Sequence, residues 1–523
     1  MATLSPAAVL ARYRRAREQR SAWESLWQEC YDFALPTRDT AVRPGSAGAR
    51  RWDRIFDGTA PDAVDQLAAS LMAQLTPPWT RWMGFAAGPD VAEEERSELA
   101  AELERANTIL QSHFDRSNFA VEMHQCYLDL VTAGTSSLLF EEMPTGESSA
   151  FRFTAVPLAQ VVLEEGPTGR LDTTFRRHEL TLQQLRSRFP GAPAVRGRRP
   201  ADDRLDVDAR ATVIEAVVPE ENGFAYMAVT EADAFDIAAE TVLAEGRFGA
   251  SPFINFRWLK APGEVYGRSP VMKALPDIKT TNKVVELVLK NASIAVTGIW
   301  QADDDGVINP ATIKLVPGTI IPKAVGSAGL TPLETPGRFD VSELVLDQLR
   351  ERIRKALFVD QLGQVNGPRM TATEVLERSA EMARILGATY GRLQSELLLP
   401  LVSRARAILA RRGEVPDLPI DHRRVVLEYK SPQARYQAQQ DVQNTLVWLE
   451  AVRALGPEAL AAVDQVAAAR WLGRTLGVSG DLIRTDAESA LAASASDLLA
   501  GAGEVAARPP AGVPVPPGRE GQQ

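Results

Sequence analysis

Apolar positions along this chain follow a helical period, then a strand period, then a helical one again. Leu10, Tyr13, Ala16, Trp23, Leu26, Trp27 and Tyr31 keep to one broad face and predict a helix over 4–34. Asp57 or Thr59 can start the next helix, with Pro61 just inside it. Ala60, Ala63, Val64, Leu67, Ala68, Leu71, Met72 and Leu75 make a small-residue stripe that stops at Thr76-Pro77-Pro78 and reads as a buried core helix. Residues 92–133 predict two helices with a break at Ser117-Asn118. Strand-like runs follow at 137–141, 151–157, 160–164, 173–179, 213–218, 224–229 and 253–258, with a short helix at 182–189.

The stretch 267–310, GRSPVMKALPDIKTTNKVVELVLKNASIAVTGIWQADDDGVINP, carries the most information. Ser269 can cap a helix and Pro270 can take its first position. Pro276 then predicts a stop, with a second helix starting at Asp277. In that helix Ile278, Val284, Val285, Val288 and Leu289 recur at helical spacing, with Lys279, Lys283, Glu286 and Lys290 between them. It is expected to end at Asn291, where β-rich sequence begins. Strands are expected at 294–301, 314–316, 319–322 and 330–333, and a return helix at 341–358. Two helices bracketing a small β module make a stalk with a cap, a shape suited to side-by-side packing in a ring. A polar loop, 359–370, leads to a long helix from Thr371 or Thr373 to about Arg412, with a kink expected at Pro400. A strand at 425–429, Ala-rich helices over 433–498 and a disordered Pro/Gly-rich tail from Gly501 complete the pattern.

Composition narrows the function. At 523 residues, 45% of them hydrophobic, the chain can bury a large core and has room for about three or four domains. A net charge of −10 argues against wrapping nucleic acid, which needs clustered cations, but leaves room for DNA that passes without being held. Two cysteines, Cys30 and Cys126, make no disulfide framework and suit a reducing cytosol. No signal-peptide pattern opens the chain and no window has the ~18 uninterrupted apolar residues of a membrane helix, so a soluble protein with no membrane partner is expected.

Candidate chemistry is sparse. The chain has no GxxxxGK[ST] loop, G-x-S-x-G elbow or H-E-x-x-H motif. His113, His124 and Cys126 lack the short spacings of a metal site, so packing roles and no metal or cofactor are expected. Asp303, Asp304 and Asp305 before Gly306 read as a hairpin turn, or as an electrostatic contact if the insertion meets another protein. The basic run 12–20 reads as a solvated helix face, or as a patch for an acidic neighbour or DNA. Arg268, Lys273, Lys279, Lys283 and Lys290 against Asp277 and Glu286 make 268–291 locally basic.

The stretch 267–310, together with FDGTAPDAVDQLAASLMAQLTPPWTRW at 56–82, resembles the ring portal proteins of short-tailed phages, the head-to-tail connectors of the T7-like kind. The resemblance covers about residues 12–435. It implies an α+β portal fold assembled as a ring: a mixed α/β wing (1–266 and 371–429), a two-helix stem (267–292 and 341–358), a small β-rich clip (293–340), a tunnel loop (359–370) and an α-helical crown (430–500), with 501–523 as the tail. It implies a non-enzymatic homo-oligomer, a twelve-subunit ring at one vertex of the virion capsid, assembled in the host cytoplasm, through which DNA is packaged and ejected. The implied partners are the terminase large subunit, the major capsid protein, the scaffold protein, tail adaptor proteins and double-stranded DNA. By position, Gln361, Gln364, Asn366 and Arg369 of the tunnel loop would touch duplex phosphates. Lys279, Lys283 and Lys290 would face the channel, and Asp303, Asp304 and Asp305 would lie in the clip contact. A DNA-acting nuclease or hydrolase of α+β fold is the alternative, with no clustered acids or activated nucleophile to support it.

Overall fold

A computed structural model describes residues 5–38, 52–78, 80–91, 93–192, 210–234, 237–297, 300–302, 325–326, 330–332, 339–359, 387, 389–417, 423–429, 432–460 and 463–476. The chain divides into two compact units, one of residues 1–83 with 106–420 and the other of 84–105 with 421–523.

In the larger unit, helix α1 (Pro6–Ala34) is followed by α2 (Thr59–Leu75). The strand β1 (Met83–Ala87) and the first half of α3 (Glu93–Arg116) belong to the smaller unit; the larger one resumes with the second half of α3, which breaks at 117–118 before α4 (Phe119–Ala133). Strands β2 (Thr135–Glu142), β3 (Phe151–Val156), β4 (Val161–Glu164) and β5 (Thr173–Leu180) come next. After α5 (Leu182–Arg188) run β6 (Ala211–Glu220), β7 (Gly223–Thr230), β8 (Val242–Phe248) and β9 (Phe253–Arg257). Two antiparallel sheets result, β3-β2-β9 and β4-β5-β6-β7-β8.

The five-stranded sheet is covered on both faces, and the period of two along β6 explains how. Ile214, Ala216 and Val218 meet Val9, Leu10, Tyr13 and Ala16 of α1, while Ala211 and Val213 meet Leu185 and Phe189 on the other side. The basic run of α1 is solvated at Arg14, Arg15 and Arg17, as expected, but Arg12 and Arg20 are engaged by the sheet. Arg12 pairs with Glu164 at 2.5 Å, and buried Arg20 donates to the Val161 and Ala159 carbonyls at 2.9 and 3.2 Å. These two arginines clamp α1 to β4, so they are committed inside the chain and are not open to DNA.

β1 and β8 were not legible as strands. β1 (MGFAA) is short and lacks polar alternation, and β8 is an edge strand with Gly246 in it, so neither has a buried face patterned at period two.

A helical segment at 389–393 continues as a π-turn, Gln394–Leu398, before α8 (Leu399–Arg411). The irregularity lies just ahead of Pro400 and not at it. Pro400 cannot donate to the Glu396 carbonyl and its ring crowds that carbonyl, so the preceding turn widens. The turn presents Glu396 to Arg257 at the end of β9. Arg257 is fully buried, and its five N–H donors are all used. Nε and Nη2 bind Glu396, Nη1 binds Glu165 at 3.2 Å and the Val265 carbonyl at 3.0 Å, and Nη2 also reaches the Gly169 carbonyl at 2.9 Å.

The smaller unit contains β12 (Val425–Tyr429) paired with β1, then α9 (Pro432–Leu455), α10 (Pro457–Leu460) and α11 (Gln465–Leu476), as the Ala-rich pattern predicts for this region. Gly88 passes so close to Arg423 that a Cβ would overlap the Arg423 carbonyl, and its N–H donates to the Arg424 carbonyl at 2.8 Å. Residues 193–209 and the segment from Gly501 lie outside the described residues.

Breaking the buried Arg257–Glu396 pair from one side is expected to cost about 3–5 kcal/mol, because Glu396→Ala removes the acceptor of Nε and Nη2 and leaves a buried charge with Glu165 as its remaining carboxylate. Urea unfolding of the variant measures it. A loss below about 1 kcal/mol would mean that the other acceptors hold the guanidinium unaided.

Candidate functional site

Two long helices and the ribbon that joins them form the site. Helix α6 runs unbroken over Pro270–Thr297, the strands β10 (Trp300–Ala302) and β11 (Leu330–Pro332) pair antiparallel, and α7 (Phe339–Ala356) returns. At 28 residues α6 is about 42 Å long.

The start of α6 is as the sequence predicts. The Ser269 hydroxyl accepts from the Met272 N–H at 2.9 Å and donates to the Thr132 carbonyl at 2.8 Å, with Pro270 in the first position. Two glycines make this start possible. Gly134 has φ +76°, and a Cβ there would overlap the Gly267 carbonyl, while a Cβ on Gly267 would overlap the Gly134 carbonyl. Only glycine at both places lets the segment leading into α6 cross the end of α4.

The stop expected at Pro276 is absent, and the helix continues past Asn291 to Thr297. Val271, Ala274, Leu275 and Ile278 are buried along one face that runs through Pro276. Their burial outweighs the single backbone hydrogen bond that proline removes, and the Pro276 ring itself points to solvent.

The FDGTAP landmark is fastened to this helix. The Asn282 side-chain oxygen accepts from the Phe56 and Asp57 N–H groups at 2.6 and 3.2 Å, and its amide donates to the Arg54 carbonyl at 3.0 Å. One Asp57 oxygen accepts from the Thr59 N–H at 3.0 Å, which starts α2, and the other accepts from Arg350 of α7 at 2.8 to 2.9 Å. Asn282, Asp57 and Arg350 thus join α2, α6 and α7. The sequence showed Asp57 only as a helix start. Asn282 and Arg350 carried no local signal beyond their place in amphipathic helices.

Buried Leu346, Leu349 and Ile353 form the inner face of α7. Arg352 pairs with Asp277 of α6 at 3.0 Å, which shows the level at which the two antiparallel helices lie side by side. Exposed Lys279, Lys283 and Lys290, with half-buried Glu286, make one stripe on α6, at spacings that keep them on one side. Each lysine has a carboxylate partner: Lys279 meets Glu29 at 3.1 Å, and Lys283 and Lys290 meet Glu286 at 2.9 and 2.5 Å. Hydrogen bonds from Lys290 and Lys283 hold the Glu286 carboxyl below its usual value. Arg268 is held by Glu264 at 3.0 Å and lies 4.8 Å over the Trp23 ring. Glu264 and Glu286 lie within four residues of the cations they hold, and only Glu29 comes from far away in sequence. Because Lys283 and Lys290 share Glu286, the stripe keeps an excess of positive charge. Gln361, Gln364, Asn366, Arg369, Asp303, Asp304 and Asp305 lie outside the described residues.

The histidine and cysteine candidates are packing groups. The His113 Nδ1 accepts from the Ala150 N–H at 3.1 Å, leaving Nε2 to donate to Glu414 at 2.7 Å. Burial pushes the Cys126 thiol up to about 12, far from a nucleophilic thiolate. Among the described residues no three His, Cys, Asp or Glu side chains are grouped to hold a metal, and no helix is long and apolar enough to cross a membrane.

Asp57 makes the joint sensitive to acid. Burial pushes its carboxyl up, but the Thr59 hydroxyl and N–H and the Arg350 guanidinium outweigh that and hold it below its usual value. The unfolded chain then takes up the proton first. The stability Asp57 supplies is complete above about pH 4 and is lost as pH falls through its lowered folded value. Urea unfolding between pH 6 and pH 3 is expected to show a steeper acid decline for the wild type than for Asp57→Asn; equal slopes would refute the coupling.

The sequence pattern of the family described as "Bacteriophage head to tail connecting protein" matches residues 7–483. The likeness thus reaches beyond residue 435, where the resemblance was drawn from sequence. Similar proteins include a probable portal protein of Bordetella phage BPP-1, 26% identical over 91% of this chain and 88% of its own length. The portal protein of Salmonella phage epsilon15 is 25% identical over 92% and 89%, and that of Escherichia phage T7 is 23% identical over 78% and 75%. Proteins of this kind are structural, which sets aside the nuclease or hydrolase alternative. With 7–483 matched, the chain belongs to the bacteriophage head-to-tail connecting protein family.

Proposed function

We propose that this protein is a phage portal whose copies, twelve of them, close into a ring at one capsid vertex. DNA enters and leaves the capsid through that ring. The observation that carries this reading is the family match over 7–483 together with a long helical hairpin capped by a β ribbon at the place where the family resemblance puts a stem. Identical subunits in a ring use heterologous contacts that close on themselves. In this reading the segment 293–340 meets the terminase large subunit during packaging and tail adaptor proteins afterwards, with Asp303, Asp304 and Asp305 as its charged contact. The outer body of the subunit meets the major capsid protein and the scaffold protein. Duplex phosphates, read without regard to sequence, meet Gln361, Gln364, Asn366 and Arg369. Two partners compete for the stripe of Lys279, Lys283 and Lys290: the passing duplex and the adjacent subunit.

Native mass spectrometry with negative-stain imaging tests the ring. Twelve chains of 56.9 kDa weigh roughly 680 kDa, and a central hole wide enough for a duplex is expected. A chain that stays monomeric or dimeric at every concentration would overturn the reading.

The loop assignment has its own test. Replacing Gln361, Gln364, Asn366 and Arg369 together by alanine is expected to leave the ring mass unchanged. It should reduce the length of DNA retained by filled capsids, read by pulsed-field electrophoresis. Full-length retention would remove these residues from the DNA contact.

A further inference from the structure

We propose that the exposed stripe of α6 docks on the exposed stripe of α7 in the next copy of this chain, lysine against carboxylate around a pair of leucines. The inference rests on the ring reading and names the contact that would close it. Three observations carry it.

The first is exposure. Both helices bury one face and leave a mixed apolar and charged face uncovered. On α6 the side chains of Lys283 and Lys290 are 62% and 65% exposed, and Leu287 between them is 53% exposed. On α7 Leu344 is 63% exposed and the Asp347 side chain 69%, with Glu343 and Glu351 also exposed. A leucine ringed by like charges is poorly placed in water but well placed in an interface, where an apolar centre with a charged rim is the usual arrangement.

The second is charge. The α6 stripe carries three lysines and one glutamate, and the α7 stripe carries Glu343, Asp347 and Glu351. Asp347 is 3.8 Å from Arg350, whose guanidinium is already bonded to Asp57. Among the described residues Glu343 and Glu351 have no cation within ion-pair distance. The two stripes lie on the outer sides of their helices, turned away from the α6–α7 contact, so one chain cannot join them.

The third is register. Arg352 against Asp277 shows the level at which the antiparallel helices lie side by side. From that pair, stepping up α6 and back along α7 brings Lys279 level with Glu351, Lys283 level with Asp347, and Leu287 level with Glu343 and Leu344. These matches hold to within about two residues, or 3 Å. Rotation about a ring axis adds no shift along it, so helices running along the axis keep these levels between neighbouring copies. The α7 carboxylates step by four residues and the α6 stripe by three or four, so the matches recur about once per turn.

Charge exchange tests the contact. Lys283→Glu and Asp347→Lys are each expected to lower the ring fraction at least tenfold at physiological salt, by native mass spectrometry and sedimentation velocity. The double variant is expected to restore it, because every interface then holds the reversed pair. Both positions are exposed, so circular dichroism and the urea midpoint should stay at wild-type values. A second variant, Leu287→Cys with Leu344→Cys, is expected to give a ladder of covalent multimers on mild oxidation. Cys30 and Cys126 are buried and will not compete. Wild-type rings whose single charge variants assemble equally well, whether or not they retain less DNA, would overturn this contact and give the lysines to the duplex. An oxidised cysteine variant that stays monomeric would also overturn it. A wild-type chain that forms no ring would instead remove the ring reading, and this proposal with it.

Discussion

A buried guanidinium with every donor used sets where the long helix α6 begins. Arg257 ends β9, and its partners come from the 165–169 turn, from Val265 and from the π-turn that carries Glu396. A charge without water must find all its acceptors inside the protein, so these segments are placed together or the cost falls on the whole fold. Gly267 follows, packed against the Cβ of Arg257 and the carbonyl of Gly134, and α6 begins three residues later. The direction of the long helix is decided in the core at its base. It does not depend on propensity along its length.

Pro400 and Pro276 show how far packing can bend a local rule. Pro400 is accommodated by a widened turn, and that same turn delivers Glu396 to Arg257. Pro276 is accommodated with no break, because the apolar face around it stays continuous. The same residue type therefore gives two outcomes. What differs is whether a buried partner requires the backbone to shift.

Much of the fold was legible. The bounds of α1, α2, α4 and α5, most strands of the two sheets and the return helix follow from apolar periodicity, and the cap at Ser269 from its neighbours. The basic run of α1 and the basic stretch of α6 were legible only as composition. Glu164 for Arg12, Glu29 for Lys279 and Asp57 for Arg350 are brought in from distant segments, and they turn counted charges into ion pairs. The helices α6 and α7 were legible from their apolar faces, but the joint that fastens them was not. Asn282 bonds a backbone segment 226 positions away, and nothing adjacent to Asn282 indicates that.

Sequence alone determined the alternation of helices and strands, the amphipathic faces of the hairpin and the family resemblance, because these depend on residues two to four positions apart or on landmarks kept in order. Tertiary structure alone decided which distant charges pair, which leucines stay uncovered, that α6 runs through Pro276, and the level at which α6 and α7 lie side by side. Those outcomes depend on which distant groups share a dry or a wet surface. Desolvation and pairing act across space, so the spacing of residues along the chain does not encode them.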